Sequence, residues 1–292
     1  MTQKGGAGKS VLTNILPNEI ILWHLLHSGK QVNVLVVDID PQQTNTAKRK
    51  RDIEQLSYKE TSPEFLAMDL GQKTEIGQFQ RRYALLIDAG FKTYKMQYVD
   101  LGNDTQISRA LENIQYQEYD YVFIDFPGTL TQDGTGAFLQ LVQHIFIPTS
   151  INPSDVLGTE CFLKTLQGLP IDFQSKYILW NKFEVSRLRK TNSTEKRLFN
   201  DYGIPFLQAR IPYSPLNDCN TVIPASLKVN LNLGTYSVVK PYLQEMAAEI
   251  IKITNGKQAQ IPEYTGSGRI CGADCARRPH RRPKRNGEGN SI

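Results

Sequence analysis

The chain alternates short runs of β-branched and aromatic residues with longer stretches of amphipathic periodicity. Apolar runs fall near residues 32–38, 95–101, 120–126, 144–149, 176–181 and 205–211, each the length of a strand rather than a helix. The first, Val32-Asn33-Val34-Leu35-Val36-Val37, is of the kind buried on both faces in a parallel sheet. Helical spacing recurs between the runs, and Pro153 to Leu169 and Tyr236 to Thr254 are the best amphipathic segments. This alternation predicts an α/β fold, a mostly parallel sheet with helices on both faces, and a ligand site at the C-terminal ends of the strands. Pro17 lies inside the helix expected after Ser10. A proline there removes a hydrogen bond and clashes with the preceding turn, so a kink or a helix broken in two is expected around residues 14–19.

After Asn255-Gly256 the character changes to Gly, Pro, Arg and Ser with almost no large apolar side chains. The organisation expected is therefore one domain over 1–255 and a basic, disordered tail over 256–292. The charge follows the same boundary. Of the net +5, all comes from the tail, where eight basic side chains face three acidic ones; residues 1–255 carry 26 of each sign. The basic balance is thus no property of the domain. Within it, cationic clusters occur at Lys48-Arg49-Lys50-Arg51 and at Arg187, Arg189, Lys190, Lys196 and Arg197, which suit a solvated helix face or a nucleic-acid phosphate backbone. No stretch reaches the eighteen or so apolar residues that cross a bilayer, and a phosphate loop stands where a signal peptide would, so a cytoplasmic location is expected. Cys271, Cys275 and His280 do not have zinc-site spacing.

The densest chemistry is at the start. Lys4-Gly5-Gly6-Ala7-Gly8-Lys9-Ser10 is a glycine-rich loop that opens a helix, so that main-chain N–H groups can cradle a polyphosphate. Lys9 supplies a point charge for the β- and γ-phosphates, and the Ser10 hydroxyl suits Mg²⁺. An ordinary phosphate loop has glycine five positions before Gly8. Here that position is Gln3, and the loop instead fits the deviant form K-G-G-x-G-K-S/T, with Lys4 as its signature.

Three further segments complete the pattern in order. The strand ending at Val37 delivers Asp38-Ile39-Asp40-Pro41-Gln42; Tyr121-Val122-Phe123-Ile124-Asp125 leads into Phe126-Pro127-Gly128-Thr129; and Tyr177-Ile178-Leu179-Trp180 ends in Asn181-Lys182. Together they resemble the ParA/MinD family of deviant-Walker P-loop ATPases over roughly residues 1–255, with a flavour closest to the ParA-type (TraA-like) proteins of bacterial conjugative transposons. The resemblance implies a Mg²⁺-dependent ATPase that forms a homodimer on binding ATP. Lys4 would reach the nucleotide of the other subunit. Gly5, Gly6, Ala7, Gly8, Lys9, Ser10 and Val11 would form the cradle, and Asp40 would orient the attacking water. Ser10, Asp38 and Asp125 would serve Mg²⁺, and Asn181 would read adenine. The catalytic set would be Lys4, Lys9 and Asp40. Taken by themselves, Asp38 and Asp125 equally suit helix N-caps, Asp40 a turn before Pro41, and Asn181 a plain loop position.

Family members begin with an apolar strand leading into the loop, whereas only Met1-Thr2 precedes Gln3 here. The expectation is a start inside a longer reading frame, with neighbouring strands short of ladder partners. The implied functions are a ParA-type switch in DNA partitioning or conjugative transfer, with non-specific DNA and a stimulating ParB-like or conjugation protein as partners. The alternatives are a MinD-like positioning ATPase, or a nucleotide-binding scaffold without turnover. A MinD-type membrane helix is not what the proline- and arginine-rich tail offers, so no membrane partner is expected.

Overall fold

A computed structural model describes residues 7–116, 118–128, 130, 134–213 and 219–254. Lys4, Gly5, Gly6, Thr129 and the whole tail with Cys271, Cys275 and His280 lie outside the described residues. Helix α1 (Lys9–Ser28) is followed by strand β1 (Val34–Asp38), helices α2 (Thr44–Ser57), α3 (Pro63–Leu66) and α4 (Leu70–Asp88), and strand β2 (Lys95–Tyr98). Then come α5 (Asp104–Tyr116), β3 (Tyr121–Asp125), α6 (Thr135–Leu139), β4 (His144–Thr149), α7 (Pro153–Gln167), β5 (Ser175–Phe183), α8 (Leu188–Tyr202) and β6 (Phe206–Pro212). A hairpin of β7 (Leu227–Asn230) and β8 (Thr235–Val238) precedes α9 (Pro241–Thr254).

All six strands expected from the apolar runs form, and they pair in parallel. They make two three-stranded sheets, ordered β2-β1-β3 and β4-β5-β6. Among the described residues β3 and β4 each have a ladder partner on one side only. Packing carries the continuity that the ladder does not. One core joins α1 and α9 to both sheets through Leu16, Ile20, Val36, Leu179, Ile211 and Met246. The opposite faces carry α5 and α6 over Leu35 and Val37, and α7 and α8 over Ile147 and Ile178. Helices on both faces of parallel strands put all strand C-termini at one rim.

Pro17 does not break its helix. Helix α1 runs unbroken from Lys9 to Ser28 with Pro17 inside, and Asn14 to Leu22 are all buried. A helix enclosed on every side is held by its neighbours, so the missing hydrogen bond is a cost carried within the core. Pro17→Ala is expected to raise stability by about 1 kcal/mol, net of the ring contacts it loses, which corresponds to roughly 2–4 °C in Tm. A lower Tm in a thermal melt would show that the ring's packing outweighs the hydrogen bond.

The second correction concerns Tyr236. The segment from Thr235 to Val238 pairs antiparallel with Leu227–Asn230 instead of starting a helix, because Thr, Tyr and Val suit a strand and Gly234 turns the chain at φ 58°. Helix α9 starts at Pro241, the first-turn position that proline favours.

The inner polar positions of α1 pin the segment before β7. Asn18 Nδ2 donates to the Thr221 carbonyl at 2.8 Å. Glu19, fully buried, accepts from the Ser226 amide at 2.8 Å and from the Ser226 hydroxyl and the Gln244 amide at 2.5 Å each. Burial pushes the Glu19 carboxyl above its ordinary value, against the lowering effect of these bonds.

Candidate functional site

The site is built where α1 begins. Gly8 adopts a left-handed conformation, φ 82°, at the N-cap of α1. Its carbonyl accepts from the Leu12 amide at 3.0 Å, starting the helical ladder. Lys9 and Ser10 are the first two helical residues. A helix N-terminus exposes unpaired N–H groups and a partial positive charge, so an anion is stabilised here before any side chain is counted.

Asp38 and Asp125 end the neighbouring strands β1 and β3 and stand opposite one another in register. Both are buried, at 0% and 2% exposure. Asp38 Oδ2 accepts from the Thr46 amide at 3.1 Å and from its hydroxyl at 2.7 Å, and Oδ1 accepts from the Asp40 amide at 3.2 Å. Burial raises the Asp38 carboxyl, those bonds oppose the rise, and the Asp40 charge adds to it. Asp125 reaches back to α1, where Thr13 Oγ1 donates to its Oδ1 at 3.3 Å. Burial pushes Asp125 up to about 7; a hydrogen bond from Ser10 lowers it, and the charges of Asp38 and Asp40 raise it further. Asp40 is partly exposed, and its Oδ1 accepts from the Gln42 amide at 3.0 Å, an Asx-type turn before α2. The fold therefore gathers Ser10, Asp38, Asp40 and Asp125 at one place.

Asn181 also arrives at the loop, on the end of β5. Its Nδ2 donates to the Ala7 carbonyl at 2.8 Å and its Oδ1 accepts from the Lys182 amide at 3.0 Å. The amide assigned to adenine by resemblance thus holds the loop backbone here. Gln43 and Lys182 are the non-glycine residues with positive φ among the described residues, at 52° and 56°. Both flank the site, where strained backbone concentrates.

The donor set suits Mg²⁺, a hard cation that takes oxygen ligands and keeps several waters. A hydroxyl and mutually repelling carboxylates face one another at the mouth of an anion-binding helix. Among the described residues no group of three or more His, Cys, Asp or Glu side chains is placed to hold a metal unaided; a Mg²⁺ partly held by phosphates and water needs no such cage.

The AAA domain family AAA_31 matches residues 1–177. The chain belongs to that family. Its fold is that of the MinD cell division protein of Aquifex aeolicus, with TM-score 0.52, 14% identity, and 86% of this chain and 94% of that one covered. The MinC:MinD complex of the same organism gives TM-score 0.51 and 15% identity, over 90% and 97% of the two chains. A putative plasmid partition protein from Borrelia burgdorferi bound to AMPPNP gives TM-score 0.47 and 20% identity, over 86% and 94%. No curated protein matches the chain.

Three site features were missed in the sequence. Thr46 and Asn45 face the carboxylates from α2, and Asn14 on α1 stands behind Asn45. The available signal was polar residues at inward helical positions, as with Asn14 and Asn18, four apart among the apolar residues of α1. The Lys48–Arg51 cluster is also corrected. Arg49 is buried; its guanidinium donates to the Thr221 carbonyl at 2.6 Å and the Tyr94 carbonyl at 2.5 Å and lies 4.6 Å from the Tyr94 ring centroid. It is a core tie and belongs to no charged surface. Arg187 pairs with Glu184 at 3.0 Å, and Arg197 with Glu160 at 2.6 Å.

Proposed function

We propose that the chain is a Mg²⁺-dependent ATPase that switches between monomer and ATP-bound homodimer, in the manner of ParA-type proteins. The observation that carries this reading is the juxtaposition of a left-handed Gly8 at the mouth of α1 with the buried, register-paired Asp38 and Asp125. Membership of the AAA domain family and the MinD-like fold support it.

The residues divide the work. Amides from Gly5 to Val11 bind and orient the polyphosphate, and Lys9 neutralises charge that develops on its outer phosphates. Ser10, Asp38 and Asp125 hold the metal, which when bound withdraws charge from the phosphate oxygens. Asp40, the more exposed carboxylate, positions the attacking water. Lys4 completes the site of the partner subunit. Such a reaction asks for positioning and electrostatic stabilisation more than covalent chemistry. Asn181 fixes Ala7 and, once released from it, reads the adenine edge.

The working partner in this reading is non-specific DNA, bound by exposed Lys50, Arg51, Arg189, Lys190 and Lys196 on the dimer, with a partner protein that stimulates hydrolysis. The role is partitioning or conjugative transfer of DNA. A MinD-like positioning ATPase is the second reading, favoured by the fold likeness to MinD, which in one solved structure is bound to MinC.

Turnover of ATP by the full chain, with and without duplex DNA, tests the proposal. Mg²⁺-dependent hydrolysis is expected, with DNA binding that needs ATP and weakens steeply with salt. Asp40→Ala is expected to keep nucleotide binding while lowering turnover at least about tenfold. Hydrolysis indifferent to DNA would turn the reading toward the MinD type. Absence of hydrolysis with nucleotide still bound would leave a scaffold.

A further inference from the structure

Besides Ser10 and Thr13, Asp125 has a hydrogen-bond donor that no reading of the loop anticipates. Asn45, in the first turn of α2, donates from Nδ2 to Asp125 Oδ2 at 2.6 Å. Its own Oδ1 accepts from Asn14 Nδ2 at 2.5 Å, and Asn14 Oδ1 accepts from the Tyr94 hydroxyl at 3.2 Å. Asn45, Asn14 and Tyr94 are 2%, 5% and 2% exposed. The chain has one polarity, because each amide has a donor end and an acceptor end. An ionised carboxylate only accepts, so Nδ2 of Asn45 faces Asp125 in the charged form that would bind a metal. That orientation turns Oδ1 toward Asn14, whose own acceptor end then meets the Tyr94 hydroxyl. The Tyr94 hydroxyl, kept protonated by burial, is the terminal donor. Every donor points toward the carboxylate, and buried chains of this kind reinforce one another.

The consequence is directional. Asn45 takes Oδ2 with a short bond, while on the α1 side Thr13 meets Oδ1 at 3.3 Å and Ser10 also hydrogen-bonds the carboxyl. We infer that Asn45 is a positioning residue: it locks the Asp125 side chain so that Oδ1 is the oxygen presented to the metal, and Asn14 and Tyr94 hold Asn45 in that orientation. The inference rests on the reading of Asp125 as a Mg²⁺-facing carboxylate. Partners that hydrogen-bond a metal's ligands typically change metal affinity by 10–100-fold when removed.

The probe is Mn²⁺, followed by electron paramagnetic resonance in the full chain loaded with ADP. Affinity for a fluorescent ADP analogue in EDTA is measured alongside as the metal-free reference. Asn45→Ala is expected to weaken Mn²⁺ binding by about tenfold or more while leaving metal-free nucleotide affinity unchanged. Tyr94→Phe, which removes only the terminal donor, is expected to weaken Mn²⁺ by a few-fold. Mn²⁺ affinity equal to that of the unmodified chain in either variant overturns the inference. Equal loss of Mn²⁺ and metal-free nucleotide binding in Asn45→Ala also overturns it, because a merely structural asparagine behaves that way. Should Asn45→Ala not fold, Tyr94→Phe decides by itself. An unmodified chain that binds neither nucleotide nor Mn²⁺ overturns the ATPase reading along with the inference, whereas an unmodified chain that binds both confines any failure to the inference.

Discussion

Lys9→Ala is expected to lower ATP turnover by on the order of 10²–10³, the loss typical of removing one preorganised charge-stabilising donor. Lys9 is the first residue of α1, directly after Gly8. The helix end alone offers about half an elementary charge, spread over several N–H groups. A lysine adds a full, compact and movable charge at the point where negative charge accumulates as the outer phosphate is transferred. Alanine is the best helix former, so α1 keeps its start and Tm should change little. Steady-state turnover at saturating ATP, compared with circular-dichroism melts, separates the two effects. Turnover within a few-fold of the unmodified chain, with Tm unchanged, would remove Lys9 from the mechanism.

What the sequence made legible follows from how each part announces itself. Strands β1, β3 and β5 each contain a continuous apolar run, and the polar residue that ends each run carries its chemistry: Asp38, Asp125 and Asn181. Once the runs are placed, a parallel sheet brings those ends to one rim, where Asp38 and Asp125 stand beside the start of α1. Helix α2 is different. Its buried residues are Asn45, Arg49 and Asp52, a stripe at helical spacing that is polar throughout. A search for apolar periodicity reads such a helix as having no inward face, and so Arg49 looked like part of a basic surface. In fact Arg49 and Asp52 converge on Thr221, with Asp52 Oδ2 accepting from the Thr221 hydroxyl at 2.8 Å, a residue some 170 positions away. Contacts of that range are set by the tertiary fold and leave no local trace. Pro17 failed as a signal for the opposite reason. Local rules break an exposed helix, and this helix is enclosed.

Gly8→Ala is expected to abolish measurable nucleotide binding and to lower stability by about 1–3 kcal/mol. Two independent facts meet at this position. The backbone is left-handed, φ 82°, where an L side chain costs roughly 1–2 kcal/mol. A Cβ placed there would also overlap Asn181 Nδ2. A flexible side chain would swing aside, but Asn181 is 4% exposed and tied at both ends of its amide, to Ala7 and to Lys182. Relief therefore requires breaking the bond that holds Ala7, or unwinding the first turn of α1. Either response moves the N–H groups that form the cradle, and hydrogen bonds to an anion weaken steeply once their geometry is lost. The loss of binding should thus exceed what the stability change alone accounts for. Asn181→Ala clears the overlap without touching the φ angle, so the double variant, compared with Asn181→Ala alone, separates the causes. Nucleotide affinity in the pair equal to that of Asn181→Ala alone would assign the defect to crowding by Asn181, and affinity well below it would assign the defect to the left-handed backbone. Binding by Gly8→Ala at unmodified affinity would mean that the phosphates are held without this turn.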